Sequence, residues 1–231
     1  MCGRFALAIP RRLVAEAMGL PGMPEAPARY NIAPSQLVEA VYADRHVTRR
    51  VAGLFRWGLV PAWAKDPKIG AKCSNARVET VFDKPAFRAA VRYRRCLIPA
   101  QGFYEWQHGQ SGKKVPYCIT PMDGSVMALA GIFEHYTGPG GEVIDSLAIL
   151  TRAAAGVVRQ LHDRQPVILP PESHTAWLDP LSTTRRDLGD ILDIPAPKLT
   201  AVPVGTLVNN PGVEGPEVMA PVGPPLVPNG L

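Results

Sequence analysis

The stretch SVMALAGIFEHY, residues 125–136, is a long apolar run rich in residues that suit a β-strand. Three shorter runs of similar character lie on either side of it, separated by turn residues: RCLIPA (95–100), PYCITP (116–121) and SLAILT (146–151). Short strands that follow one another across turns favour an antiparallel sheet. Because helices are interspersed without a regular βαβ alternation, the sequence predicts an α+β fold with a mostly antiparallel sheet.

Short helices and one earlier strand pair are predicted around these strands. KPAFRAAVRYRR (84–95) has the clearest helical pattern, with Phe87, Ala90 and Val91 facing inward and Arg88, Arg92 and Arg95 facing outward. Shorter helices are predicted in PRRLVAEAMGL (10–20), GVVRQLH (156–162), PESHTAWL (171–178) and RRDLGDIL (185–192). LVEAVYA (37–43) and RRVAGLF (49–55) are predicted to be two strands around a turn at Asp44–His46.

Composition limits the class of protein. The 231 residues are 46% hydrophobic and 19% charged, which is enough apolar material for a sizeable core. The net charge of +5 is a mild basic excess that fits an anionic partner such as nucleic acid, although many basic proteins only have solvated basic faces. The last residues, dense in proline and glycine, are predicted to form a loose tail.

The four cysteines and five histidines show no zinc-ligand spacing, so we predict no metal site and no cofactor. No signal peptide and no membrane-spanning run is apparent, so we expect a protein of the reducing cytosol with free thiols.

Cys2 directly follows the initiator methionine. If Met1 is removed, Cys2 carries an α-amine with a pKa of about 7.7–8.0, so roughly a third of it is neutral near pH 7.4. Amine and thiol together form a 1,2-aminothiol, which condenses with an aldehyde to an imine and then closes a thiazolidine ring. On position alone, a small cysteine buried near the terminus is the simpler interpretation.

Other polar residues have two interpretations each. Arg4 and Arg77 are suited to binding phosphate, and Asn75 lies two residues from Arg77, on the same side of an extended segment. Surface arginines and a turn-capping asparagine are the alternatives. Trp57 and Trp63 belong either to the core or to a platform on which bases stack.

Two further segments contain titratable groups. Glu105, between Tyr104 and Trp106, becomes a proton donor near neutral pH if it faces an apolar pocket; otherwise it is an outward residue of an alternating strand. His162 titrates near neutrality, and Asp163 and Arg164 follow it. That run is also typical of a polar turn before a buried strand.

These motifs, in this order, resemble the SOS-response-associated peptidase family, whose members process abasic sites in DNA. The motifs are MCGRF (1–5), RYNIAPSQ (29–36), RWGLVPAWAKDP (56–67), SNARVET (74–80), KPAFRAA (84–90), RRCLIPAQGFYEW (94–106) and LHDRQPVIL (161–169). VNNPGVEGPEVMAPV, near the C-terminus, also resembles the family. The resemblance extends from Met1 to about Pro221, which gives a domain over 1–221 and a flexible tail over 222–231.

The resemblance implies one compact domain with a curved, barrel-like sheet and a positive groove. It implies binding of single-stranded DNA at an abasic site and a covalent thiazolidine through Cys2. We expect a monomer, because the domain must admit a DNA strand, and a cytoplasmic protein that associates with the nucleoid when bound to DNA. Carried over residue by residue, Cys2 is the nucleophile, Asn75 and His162 sense the sugar, and Glu105 moves protons. The implied DNA contacts are Arg4, Arg77, Trp106 and Arg164, with Trp57 and Trp63 as weaker candidates.

Two departures from the family pattern stand out. Gln165 occupies a position where similar proteins often have methionine, and LTRAAAG (150–156) lacks the threonine and asparagine that they often carry. These departures leave the four implied catalytic residues intact.

Two other functions remain open from the residues. One is an N-terminal-nucleophile peptidase or amidase, in which the α-amine is the base for its own thiol and which removes Met1 itself. The other is a DNA-binding module without covalent chemistry. A lyase side reaction is a further expectation, because an imine activates the sugar for β-elimination.

Overall fold

The computed structural model describes residues 2–44, 49–108, 112 and 114–227, which form thirteen strands and four α-helices together with 3₁₀ turns. The strands are β1 (Phe5–Leu7), β2 (Arg29–Ile32), β3 (Leu37–Asp44), β4 (Arg49–Trp57), β5 (Asn75–Arg77), β6 (Arg95–Ala100), β7 (Gly102–His108), β8 (Lys114–Pro121), β9 (Met127–Thr137), β10 (Val143–Ala153), β11 (Arg164–Pro166), β12 (Ile168–Leu169) and β13 (Leu199–Pro203). The helices are α1 (Arg11–Met18), α2 (Arg88–Tyr93), α3 (His174–Leu178) and α4 (Arg185–Asp193). The predicted α+β class is confirmed.

Five strands close into a ring. β3 pairs with β4 and with β6, β6 pairs with β9, and β9 pairs with β10, all antiparallel. β10 then pairs with β4 in parallel and completes the circuit. This closed ring confirms the barrel-like sheet, and it leaves β11, β12 and β5 attached at its rim.

Strand β9 shows why the apolar run at 125–136 belongs in the wall of a barrel. Met127, Leu129 and Phe133 pack in one hydrophobic cluster, whereas Ala128 and Ile132 pack in another. Successive side chains of a strand point to opposite faces, so both faces of β9 are buried. The first cluster is shared with the second sheet, and the second cluster is covered by the helices.

The second sheet is five-stranded, in the order β13-β8-β7-β1-β2. It is antiparallel throughout, and β1 lies between β7 and β2. Phe5, Phe103 and Ile119 of this sheet are buried in the cluster that also holds residues of the ring. The N-terminus therefore enters the interior of a sheet instead of running along its edge.

The position of β5 is fixed by the loop that precedes it. Gly58 has φ 135°, and a Cβ there would lie 2.7 Å from the carbonyl oxygen of Gly70. Leu59 N–H then donates to the carbonyl of Cys73 at 3.1 Å, and the Trp57 indole N–H donates to Ser74 O at 2.8 Å. These contacts bring Ser74 and β5 beside β10.

Two predictions about local structure need comment. Arg95 was expected on the outer face of a helix, but α2 ends at Tyr93 and Arg95 begins β6, where it is 5% exposed. The predicted turn at Asp44–His46 extends into residues 45–48, which lie outside the described residues.

The predicted loose tail, residues 222–231, begins with residues that contact the rest of the fold. Val222 N–H donates to Pro203 O at 2.9 Å, and Leu226 N–H donates to Ala201 O at 2.8 Å. The Leu226 side chain packs against the first hydrophobic cluster. Residues 222–227 are therefore bound to β13 and the core, and residues 228–231 lie outside the described part of the chain.

Candidate active site around Cys2

Pairing of β1 with β7 brings Cys2 next to Glu105. Phe5 is opposite Phe103, and Tyr104 N–H donates to Arg4 O at 2.9 Å, which continues the ladder toward the N-terminus. Cys2 is 0% exposed and Glu105 is 3% exposed, and the neighbouring Phe103 and Tyr104 are buried as well. The inward interpretation of Glu105 is therefore the one that the structure supports.

Asn75 contacts the backbone of Cys2. Its Nδ2 donates to Cys2 O at 2.8 Å and lies 3.3 Å from Ser74 Oγ. Its Oδ1 is buried and has no hydrogen-bond partner among the described residues. Asn75 thus holds the N-terminal segment with one end of its amide and presents a buried acceptor with the other.

His162 follows the 3₁₀ turn Gly156–Gln160, and its N–H donates to Val158 O at 3.0 Å. The backbone N–H of Arg164 donates to His162 Nδ1 at 2.8 Å, so we assign the proton of the neutral imidazole to Nε2. Asp163 Oδ1 also lies 2.8 Å from Nδ1, but this carboxylate is 84% exposed to solvent, whereas the backbone N–H of Arg164 is a fixed donor. Partial burial and the positive N-terminus lower the pKa of His162, which favours the neutral ring.

The two acidic groups of the site both hold their protons more tightly than usual. Burial raises the pKa of Glu105 to about 7, against the opposing effect of the positive N-terminus. Burial, together with the nearby Glu105 carboxylate, raises the pKa of the Cys2 thiol. A thiol in this environment is neutral near pH 7, which differs from the partly ionised thiol of an exposed N-terminal cysteine.

The predicted DNA contacts Arg4 and Trp106 belong to a network with the C-terminal segment. Arg4 Nη1 donates to Asn31 Oδ1 at 2.6 Å and to the carbonyl of Val208, and its guanidinium lies 6.0 Å from the centre of the Trp106 ring. The Trp106 indole N–H donates to Asn209 Oδ1 at 2.7 Å.

The two other predicted arginines differ in exposure. Arg77 is exposed at the end of β5. The Arg164 side chain is 12% exposed, and its guanidinium is bound by Glu79 through two hydrogen bonds of 2.6 and 2.9 Å. Arg77 is thus the more accessible of the two for a phosphate.

The two tryptophans of RWGLVPAWAKDP, Trp57 and Trp63, differ in their exposure to solvent. Trp57 is 0% exposed, and its ring lies 5.3 Å from that of Phe5 in an edge-on arrangement. The stacking role considered for Trp57 is therefore corrected to core packing, because no face of its ring reaches the surface. Trp63 is 59% exposed and remains available for stacking.

Sequence reasoning missed Asn31 and Glu79. Asn31 is fully buried, accepts from Arg4, and donates through Nδ2 to Asn210 O and Val213 O at 2.9 Å each. Both residues lie inside quoted motifs, RYNIAPSQ and SNARVET, but their partners are far away along the chain. Only the fold shows that Asn31 joins the N-terminal segment to the segment around residue 210.

The two departures from the family pattern are in contact. Gln165, 1% exposed, accepts a hydrogen bond from Ala155 N–H at 2.8 Å through Oε1. Ala154 N–H donates to Asp163 O at 2.9 Å, so this loop borders the segment that carries His162.

The site does not coincide with an apolar cavity on another part of the fold. That cavity, of about 620 Å³, is lined by residues of β1–β4 and α1 such as Leu7, Val14 and Leu54, and none of the four implied catalytic residues lines it. No group of three or more potential metal-ligand side chains is found within the described ranges. Among the described residues, no helix has the length and apolarity needed to cross a bilayer.

The chain is similar to curated proteins along most of its length. It is 37% identical to Abasic site processing protein YoqW of Bacillus subtilis (strain 168) over 223 residues, which is 95% of this chain and 99% of that protein. It is 40% identical to Abasic site processing protein YoaM of the same organism over 79% of this chain and 80% of that protein. Abasic site processing protein HMCES of Xenopus tropicalis is 32% identical over 78% of this chain and 60% of that protein.

Solved structures show the same architecture. A crystal structure of a protein from Bacteroides thetaiotaomicron matches 96% of this chain and 100% of that chain with a TM-score of 0.82, at 21% identity. A crystal structure of a protein from Bordetella bronchiseptica matches with a TM-score of 0.75 at 30% identity, over 88% of this chain and 100% of that one. The family model described as SOS response associated peptidase (SRAP) matches residues 1–211. The chain therefore belongs to the SOS response associated peptidase family.

Proposed function

We propose that this protein processes abasic sites in DNA by forming a covalent thiazolidine through Cys2 after Met1 has been removed. The observation that carries the proposal is the burial of Cys2 beside Glu105, with Asn75 bound to the Cys2 carbonyl at 2.8 Å. The relatives named as abasic site processing proteins support the same lesion as substrate.

The first step is opening of the abasic sugar. An abasic deoxyribose is mostly a closed hemiacetal, and proton transfer releases its C1′ aldehyde. Glu105, with a pKa of about 7, is present in both protonation states near neutral pH, and neutral His162 has a protonated Nε2. These two groups supply and remove the protons of this step.

The amine acts before the thiol. The neutral α-amine of Cys2 adds to the aldehyde, and Glu105 gives the proton with which water leaves as the imine forms. Burial keeps the thiol protonated, so it adds to the imine afterwards: sulfur bonds to C1′ and its proton passes, through Glu105, to the nitrogen. Asn75 holds the Cys2 backbone, and its buried Oδ1 is an acceptor for the α-amine or a sugar hydroxyl.

Single-stranded DNA that carries an abasic site is the proposed partner, and no base-specific contact is needed at a base-less sugar. Exposed Arg77 and Trp63 are the candidates that can meet phosphate and base directly, and phosphate contacts make binding fall with salt. Until the ring closes, the imine also permits β-elimination at the 3′ phosphate, which is the proposed lyase side reaction. We propose that the protein acts on this DNA as a monomer, in the cytoplasm.

The experiment uses a uracil-containing single strand from which the uracil has been excised. Incubation with the purified protein should give an adduct that survives heat and denaturant, and Cys2→Ala should abolish it. Cys118→Ala is the matched control, because Cys118 is a buried cysteine of β8, and it should leave the adduct unchanged. Intact mass of the unreacted protein should show loss of Met1. An adduct that persists in Cys2→Ala, or a protein that keeps Met1 and still reacts, would reject the proposal.

A further inference from the structure

Glu79 lies just after β5 and has no role in the chemistry described so far. Its two carboxylate oxygens accept hydrogen bonds from Nη1 and Nη2 of Arg164, at 2.6 and 2.9 Å. This two-pronged geometry is the strongest arrangement of an arginine with a carboxylate. The pair joins positions 85 residues apart in the chain.

The Glu79–Arg164 pair contacts β10 at one carbonyl oxygen, that of Thr151. Arg164 Nη2 donates to Thr151 O at 2.6 Å, and Val78 N–H donates to the same oxygen at 3.0 Å. Thr151 pairs with Arg77 of β5 on one side and with Pro166 of β11 on the other. The Glu79–Arg164 pair therefore links β5, which contains Asn75, to β11, which begins two residues after His162.

Arg164 also contacts His162 through its backbone. Its N–H donates to Nδ1 at 2.8 Å, which leaves the imidazole proton on Nε2. The Arg164 side chain is 12% exposed and both of its terminal nitrogens are bound within the protein. A phosphate would have to displace Glu79 to reach this guanidinium, so the structure favours an internal role for Arg164 over a direct contact with DNA.

We propose that Glu79 is a positioning residue for the reaction at Cys2: it anchors Arg164, and Arg164 in turn holds His162 in one orientation and one tautomer. The inference rests on the proposed function for its kinetic consequence only. Loss of the anchor lets the segment that carries His162 shift, and a displacement of about 1 Å at a reacting group costs up to about 100-fold in rate.

The test compares Glu79→Ala and Glu79→Gln with wild type. Single-turnover cross-linking to an abasic single strand should slow by about 10- to 100-fold in Glu79→Ala and by less in Glu79→Gln, which keeps one acceptor for Arg164. Sodium formate, which supplies a small carboxylate, should restore part of the rate to Glu79→Ala when sodium chloride at equal ionic strength does not. Affinity for the same strand, measured in a Cys2→Ala background where no bond forms, should stay within about twofold if Arg164 acts inside the protein, where Glu79 and Thr151 O bind its two terminal nitrogens.

A spectroscopic readout needs no DNA. Nitrogen-15 NMR of the histidine rings should show His162 with its proton on Nε2 in wild type and a mixture of tautomers in Glu79→Ala. Asp145→Ala is the matched control: it removes the ion pair with His135 at the opposite end of β10 and should change neither the rate nor the tautomer.

The outcomes separate the two proposals. Wild-type rate and an unchanged tautomer in Glu79→Ala would overturn the role of Glu79. Tighter DNA binding in Glu79→Ala with an unchanged rate would also overturn it, because Glu79 would then only compete with phosphate for Arg164. A wild-type protein that forms no adduct would reject the proposed function, and the tautomer measurement would still decide the role of Glu79.

Discussion

Glu105 illustrates how burial of an ionisable group reduces stability. Its side chain is almost fully buried, and burial raises its pKa from 4.5 to about 7. The folded state therefore binds this proton more tightly than the unfolded state does. The native state consequently loses stability as the pH rises from about 4.5 through about 7, by a free energy on the order of 3 kcal/mol when the group is fully ionised.

Glu105→Gln should remove this pH-dependent loss, because glutamine cannot ionise. We expect the melting temperature of the variant to exceed that of wild type at pH 8, and the difference to shrink toward pH 5. Thermal unfolding at several pH values measures this directly. Glu16→Gln, on the exposed face of α1, is the control and should show no such trend. A difference that stays constant across the pH range would contradict the assignment.

At the residue scale, the sequence identified the nature of the site better than its arrangement. Cys2, Asn75, Glu105 and His162 were predicted from motifs, and the structure brings Asn75 and Glu105 to Cys2. The sequence could not reveal that Arg4 is bound by Asn31 and Arg164 by Glu79, because each pair joins distant parts of the chain. Their roles toward DNA stay predictions, as does that of Arg77.

At the scale of the element, Arg95 shows the limit of helical periodicity. A helix extended to residue 95 would place Arg95 on its charged outer face, but α2 ends at Tyr93. Arg95 donates instead to the carbonyls of Trp177 at 2.6 Å, Arg92 at 2.6 Å and Val91 at 3.0 Å, and its guanidinium lies 5.6 Å from the Trp177 ring centre. One buried arginine thus connects α2, β6 and α3.

Arg95→Ala should destabilise the protein by about 3–5 kcal/mol, because several buried carbonyls lose their donor and the Trp177 ring loses its cation. Chemical denaturation gives the free energy of unfolding. Arg88→Ala, at an exposed position of the same helix, should change it by less than about 0.5 kcal/mol. Equal effects of the two variants would mean that Arg95 contributes no more than a surface arginine.

The strands were easier to predict than the helices for a physical reason. Strands β9 and β10 are buried on both faces, so they appear in the sequence as continuous apolar runs. The helices are short, between five and nine residues, and a pattern of this length leaves their ends undetermined.

At the scale of the whole molecule, the ring and the second sheet share the first hydrophobic cluster. Leu226 of the C-terminal segment packs against this cluster. The closure of the ring depends on the parallel pairing of β10 with β4, which joins residues about ninety positions apart. No local pattern contains that information: the barrel-like sheet was expected only from the family resemblance, and the parallel pairing was not predicted. The contacts of residues 222–227 were not predicted because proline and glycine also mark the turns of ordered loops.

A chain that ends at residue 221 should therefore melt at a lower temperature than the full chain. It loses the Leu226 side chain from the core and two backbone hydrogen bonds to residues 201 and 203, which together contribute about 2 kcal/mol, or roughly 4–8 °C. A chain that ends at residue 227 is the control and should melt with the full protein. Identical melting of all three would restore the earlier interpretation of a loose tail from residue 222.

If the proposed adduct at Cys2 forms, the place of β1 between β7 and β2 has a mechanical consequence. Tension applied at that point runs along β1, so it loads both neighbouring ladders in shear, whereas an edge strand would be unzipped one bond at a time. The Asn75 contact with the Cys2 carbonyl adds a brace ahead of the strand. An attached DNA strand pulled by a passing motor would thus meet the sheet along its most resistant direction.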